Sequence, residues 1–174
     1  SIESIWSIKS NDKSIKFAKK AITKVWNNIE AAILHRNLDA LSQIVEGSHF
    51  SGKAINISKT TAIHALSYKL TTLYKIPHGN CVGILLPKFL NLHMKILKSN
   101  NIYSKYLEKE AIICKSLNVK NLTEFIQKYQ FLLKNLGFDD FDTMNNKFKF
   151  NSKIIIDAVN IERLKNHPLP LTKN

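Results

Sequence analysis

Apolar side chains recur at intervals of three and four residues through most of this 174-residue chain, the period of α-helices that bury one stripe. The clearest case is 14–35, where Ile15, Ala18, Ile22, Val25, Trp26, Ile29, Ala32 and Ile33 share a face. Before it, Ile2, Ile5 and Trp6 lie on one side of a segment, 1–7, that reads as the end of a helix already under way, and Ser10-Asn11-Asp12 is the break. Asn37 is placed to cap a helix from Leu38 that carries Leu41, Ile44 and Val45. That helix passes through Gly47, Ser48, Ser51, Gly52 and Ala54, small residues that let a second helix or a ligand approach closely. The next helix is expected over 60–73, with Ile63, Leu66, Leu70 and Leu73 inward, and Ile76-Pro77 ends it because a residue before proline is pushed out of the helical region. Pro77 suits the first position of the following helix, which Pro87 is expected to kink or restart before a stop at 98–101. Further helices are expected at 103–117, at 122–136 with Asn121 as cap and Glu124 three residues on, and at 153–164 beginning near Ser152. The stretch 137–151 reads as a linker with a short turn at 139–144. Only KFKF at 147–150 alternates with the period of a strand, and it is too short to count. The expected fold is therefore all-α, a multi-helix bundle in one domain over 1–174.

Composition narrows the function classes. A hydrophobic content of 44% is enough for one substantial core. No apolar run approaches the roughly 20 residues of a membrane span, and the first residues lack the basic-then-apolar order of a secretion signal. A cytoplasmic protein with no membrane partner is expected. Cys81 and Cys114 both fall inside expected helices and read as buried thiols. The net charge of +13 raises nucleic acid as a partner, because clustered basic residues gain affinity by releasing phosphate counterions. Only Arg36 and Arg163 are arginines, however, and lysines are scattered through nearly every segment, the pattern of solvated helix faces rather than of one binding surface.

Candidate chemistry concentrates in 55–87, INISKTTAIHALSYKLTTLYKIPHGNCVGILLP. His64 lies inside one expected helix and His78 opens the next, with the Ile76-Pro77 bend between them. Two imidazoles brought together across a bend make half of a four-ligand metal shell, although each alone also suits a core or capping role. No carboxylate lies nearby in sequence, and Glu3, Glu108, Glu110, Asp139, Asp140 and Asp142 form no pair of catalytic spacing. His49 is expected on a solvated face, and His35, His93 and His167 exposed or at helix ends. Lys59 and Lys69 flank His64 about a turn away on either side and are candidates for holding an anionic substrate. The chain has no GxGxxG, GxxxxGK[ST] or GxSxG motif, so nothing in it cradles a nucleotide phosphate or builds a nucleophile elbow.

His64 and His78, fourteen residues apart, with Leu70, Tyr74, Pro77 and Gly79 between and after them and ILLP following, resemble the signature of the iron-containing (group III) alcohol dehydrogenase family. The opening SIESIWSIKSN is similar to that family's segment just after its Asp-x-x-x-His ligand pair, and NHPLPLTKN resembles its Asn-Pro-Arg-Pro ending. The resemblance spans nearly the whole chain. It implies the helical C-terminal domain of the dehydroquinate synthase-like fold. It also implies one divalent metal, Fe2+ or Zn2+, with His64 and His78 as two of its ligands and an Asp and a first His lying immediately before Ser1. NAD(P)H would be held by an N-terminal nucleotide-binding domain of the same protein, and the substrate would be a small aldehyde or alcohol. A homodimer is the oligomer to look for. Without the other half, the chain alone is expected to hold metal weakly and to be inactive.

Many family members carry a further histidine four residues after the position of His64. Here Tyr68 stands there, a departure that makes its hydroxyl the candidate catalytic group. The wording SKTTAIHALSYKLTTLYKIPHG is most similar to the phosphonoacetaldehyde reductase branch, which implies an anionic substrate with Lys59 or Lys69 as its contact. Two readings from other classes stand beside this one: a helical interaction module with structural histidines, and a lysine-rich nucleic-acid binder. The spacing of the two imidazoles separates the first from an enzyme.

Overall fold

The computed structural model describes residues 1–99, 104–169 and 171. Its helices, in chain order, are α1 (Ile2–Trp6), α2 (Asp12–Leu34), α3 (Leu38–Ser58), α4 (Ala62–Tyr74), α5 (His78–Ser99), α6 (Ser104–Leu117), α7 (Leu122–Asn135), α8 (Phe141–Phe148), α9 (Ser152–Asp157) and α10 (Ile161–Lys165). The described residues contain no strand, so the fold is all-α as the periodicity implies. None of their helices is long and apolar enough to cross a membrane. The expected helix start at Tyr103 and the chain end at 170 and 172–174 lie outside the described residues.

Side-chain caps set most of the boundaries. The Asn11 side chain accepts from the Ser14 amide while the Ser14 hydroxyl accepts from the Asn11 amide, closing a capping box on α2. Asn37 caps α3 through the Ala40 amide and Asn121 caps α7 through the Glu124 amide. Two expectations change for the same reason. Asp140 caps Thr143, so the expected turn at 139–144 becomes the eight-residue helix α8. Asn160 accepts from the amides of Glu162 and Arg163, so the single helix expected over 153–164 is split into α9 and α10. A short polar side chain that bonds its own backbone starts a new helix more readily than it continues an old one.

The helices α2 and α3 make the most extensive helix–helix contact, and the small residues of α3 divide by role. A Cβ added at Gly47 would meet Val25 Cγ2 at 2.9 Å and Lys24 Cβ at 3.2 Å, whereas one at Gly52 would meet nothing within 4 Å. Gly47→Ala is therefore expected to destabilise by about 1–3 kcal/mol through overpacking, and Gly52→Ala to stabilise by roughly 0.5–1 kcal/mol. Denaturant midpoints of the two variants should move in opposite directions, and a shared direction would contradict this account of the crossing.

Pro87 does not interrupt α5, which runs unbroken from His78 to Ser99. A proline lacks the amide that would bond the carbonyl four residues earlier, here Gly83. The Tyr129 hydroxyl of α7 donates to that carbonyl at 3.3 Å instead, and burial pushes the phenol up to about 12. A tertiary donor thus replaces the missing local one.

The core gathers Ile5, Trp6, Ile63, Leu70, Leu90, Ile113 and Phe125, with both cysteine thiols buried as expected. His93 and His167 depart from expectation, since both are buried rather than exposed or terminal. His93 follows the buried Phe89 by four residues and Leu90 by three, so it falls on the inward stripe of α5. There its Nδ1 meets the Tyr106 hydroxyl and its Nε2 lies 2.8 Å from His167 Nε2. The Trp6 indole packs edge-on against both rings.

Candidate metal centre

The loop between α3 and α4 is built by residues distant in sequence. Ser7 donates to the Ser58 carbonyl, and the Asn166 amide donates to the carbonyls of Ser58 and Thr60. These buried bonds hold Lys59 at φ 59°, a region that L residues seldom occupy. The N-terminus of α4 has no side-chain cap of its own. Glu3 of α1 supplies one from across the fold, accepting from the amides of Thr61 and Ile63 at 3.1 Å each and from the Thr61 hydroxyl at 2.5 Å. Thr61 also accepts from the Trp6 indole at 3.0 Å, so α1 docks on α4 through two polar side chains, Glu3 and Trp6, inside the core.

The second carboxylate oxygen of Glu3 contacts Nδ1 of His64. Burial pushes the Glu3 carboxyl up, but the hydrogen bond and charge of His64 and the bond from Thr61 outweigh it and hold the group below the usual carboxylate range. Glu3 is thus ionised, and His64 donates its Nδ1 proton to it. In the neutral imidazole Nε2 is then the ring atom with a lone pair to offer.

His78 reaches the same state by a different partner. Ser67 Oγ spends its one proton on the His64 carbonyl at 2.9 Å and lies 3.4 Å from His78 Nδ1, so it accepts from that nitrogen. Burial, with the charges of His64 and Arg163 behind it, holds His78 below the usual imidazole range. Among the described residues neither Nε2 has a protein partner. The two rings lie 5.4 Å apart between centroids at 64°, close to the roughly 5 Å expected of imidazoles sharing a tetrahedral ion at metal–nitrogen distances of about 2 Å. Fixing Nδ1 on a carboxylate or hydroxyl is how metal-ligating histidines are oriented. The donor set fits a metal, with the chain supplying two imidazoles: among the described residues no group of three or more His, Cys, Asp or Glu is arranged to hold an ion.

The other candidates lie at different distances from this pair. Tyr68, four residues after His64, shares its helix face, is 45% exposed, and stacks on His78 at 5.2 Å and 16°. Lys59 is exposed and donates to the Asn56 carbonyl. Lys69 is displaced about 140° around α4 from His64. His49 is exposed. Sequence reasoning missed Glu3 and Arg163. The only local sign of Glu3 is one acid set between the apolar Ile2 and Ile5, and nothing near it in sequence points to a partner 61 residues away. Beside His64 and Glu3 opens a cleft of about 440 Å³ lined largely by apolar side chains, among them Val25, Trp26, Ile63, Val82 and Phe125.

The fold and this pair define an all-helical domain with two imidazoles side by side at one helix bend. The model of the Fe-containing alcohol dehydrogenase family, C-terminal, matches residues 1–162, and the chain belongs to that family. It is 31% identical over 90 residues to the phosphonoacetaldehyde reductase of Streptomyces viridochromogenes, a match covering 51% of this chain and 22% of that protein. A 1,3-propanediol dehydrogenase of Klebsiella pneumoniae is also 31% identical, over 87 residues, covering 49% of this chain and 22% of its own length. The fold is shared with the NAD+ complex of sulfoacetaldehyde reductase from Bifidobacterium kashiwanohense, with a TM-score of 0.83 at 20% identity over 99% of this chain. This chain spans 44% of that structure's length.

Proposed function

We propose that residues 1–174 are the single, metal-binding helical domain of an NAD(P)-dependent alcohol dehydrogenase or aldehyde reductase. The observation that carries the proposal is the commitment of both Nδ1 atoms, to Glu3 and Ser67, with both Nε2 atoms left to a shared ligand. His64 and His78 then hold Fe2+ or Zn2+ together with an Asp and a His expected immediately before Ser1, and a nucleotide-binding domain of the same protein brings NAD(P)H. When bound, such an ion supplies Lewis-acid polarisation of a carbonyl oxygen. Tyr68, half-exposed against His78, holds a phenolic proton beside the site and is the candidate to deliver it to the product alcohol. The apolar lining of the cleft next to His64 suits the carbon skeleton of a small aldehyde. A small aldehyde is the substrate class, and phosphonoacetaldehyde is the first to test, given the 31% identity to a reductase of that name. Lys59 and Lys69 are the sequence-derived candidates for its anion. The chain alone is expected to be inactive.

In the whole protein, metal-dependent oxidation of NADH or NADPH by a small aldehyde is expected, and His78→Ala should lower it by ~100-fold or more together with the bound-metal content. Undiminished turnover in that variant would remove His78 from the site.

A further inference from the structure

The capping of α10 by Asn160 and the bonds from Asn166 to the α3–α4 loop carry Arg163 to the start of α4. Its guanidinium lies 4.8 Å from the centroid of the Tyr68 ring and donates through Nη1 to the Thr60 hydroxyl. Tyr68 in turn stacks on His78, so a fixed positive charge stands one ring away from the imidazole pair. Nothing neutralises it among the described residues. Its neighbour Glu162 is paired with Lys165, and both Glu3 oxygens are occupied by Thr61, Ile63 and His64. One guanidinium N–H serves Thr60; the others form a planar fork of the kind that grips tetrahedral oxyanions.

We propose that Arg163 is a specificity-determining residue that binds a tetrahedral oxyanion, a phosphonate or sulfonate, carried on the aldehyde substrate whose carbonyl reaches the His64–His78 pair. The inference rests on the dehydrogenase reading above. It displaces Lys59 and Lys69 as the anion contact: Lys59 is turned onto the Asn56 carbonyl, and Lys69 lies about 100° around α4 from Tyr68. The Arg163 fork is held in place by an aromatic face and a hydroxyl, so less side-chain freedom is lost when it binds.

The test uses the whole protein in two arms. In the first, kcat/KM is measured for phosphonoacetaldehyde, sulfoacetaldehyde and the neutral propanal, in the parent and in Arg163→Gln. Loss of a charge-assisted hydrogen bond predicts a fall of about 10–100-fold for the anionic aldehydes, mainly in KM and well beyond any fall for propanal; the ratio of the two anions shows which oxyanion the site prefers. An equal fall for propanal, or no change for the anions, overturns the proposal, the first by showing that Arg163 only holds α10 in place. Lys59→Gln and Lys69→Gln are expected to stay within about threefold. In the second arm, calorimetric binding of methylphosphonate and methanesulfonate is compared between parent and Arg163→Gln. Anion binding lost in the variant supports the site even if no aldehyde is reduced, the outcome that would sink the dehydrogenase reading alone. Binding that is absent in the parent, or unchanged in the variant, sinks Arg163.

Discussion

Glu3→Ala is expected to lower the stability of this fold by about 3–5 kcal/mol, because it removes the acceptor of several buried donors at once, each unsatisfied one costing about 1–3 kcal/mol. Glu3 is 5% exposed. Its loss strands the amides of Thr61 and Ile63, the Thr61 hydroxyl and the Nδ1 proton of His64 in a largely buried site. Glu3→Gln keeps the shape but turns one acceptor into a donor facing donors, so a smaller loss of about 1–3 kcal/mol follows. Denaturant unfolding followed by circular dichroism checks both values. The order Ala worse than Gln is the informative result, and a Glu3→Ala variant within about 0.5 kcal/mol of the parent would show that the carboxylate is not the cap of α4. Because His64 is oriented by the same group, affinity for Zn2+ in the whole protein should fall by roughly 10–100-fold in Glu3→Gln.

Acid should unfold the protein through His93 and His167. Burial lowers His93 to about 2, with the charge of His167 adding to it. Burial also lowers His167 to about 4, opposed only by Glu3. Both imidazoles are then neutral in the folded state, and unfolding restores each to its ordinary value near 6.5. The unfolded state therefore binds more protons below that pH. Stability is complete above pH 6.5 and falls as the pH drops, the share of His167 being exhausted near pH 4 and that of His93 near pH 2. Each proton contributes about 1.4 kcal/mol per pH unit, so the pair removes about 3 kcal/mol by pH 5.5 and about 5 kcal/mol by pH 4.5. These are large fractions of the roughly 5–15 kcal/mol that holds a domain together. The double variant His93→Gln/His167→Gln should flatten the stability–pH curve between pH 6.5 and 4. A curve that stays parallel to the parent would assign the acid transition to other groups, Glu3 first among them.

What the chain declares by itself is whatever short-range physics governs. The three-and-four spacing of apolar residues places α2 to α7 within a few residues of their observed positions. Asn11, Asn37 and Asn121 mark helix starts because a capping side chain bonds an amide only three residues away. The pairing of His64 and His78 was legible too, since both sit beside one proline-marked bend and the residues around them carry the family's pattern. Where two local signals compete the sequence alone misleads: Asn160 breaks a helix that the apolar pattern would continue, and Pro87 fails to break one because Tyr129 serves Gly83 from another helix. The remainder depends on contacts between residues far apart in the chain. His93 and His167, 74 positions apart, become interior only by facing each other. Glu3 finds the start of α4, and Arg163 finds Tyr68 and Thr60, across separations that no local period encodes. The two neighbouring imidazoles were therefore visible in the sequence. The carboxylate that orients one of them and the guanidinium beside them were set by tertiary packing, because a buried charge takes its partner from whatever element the fold brings within reach.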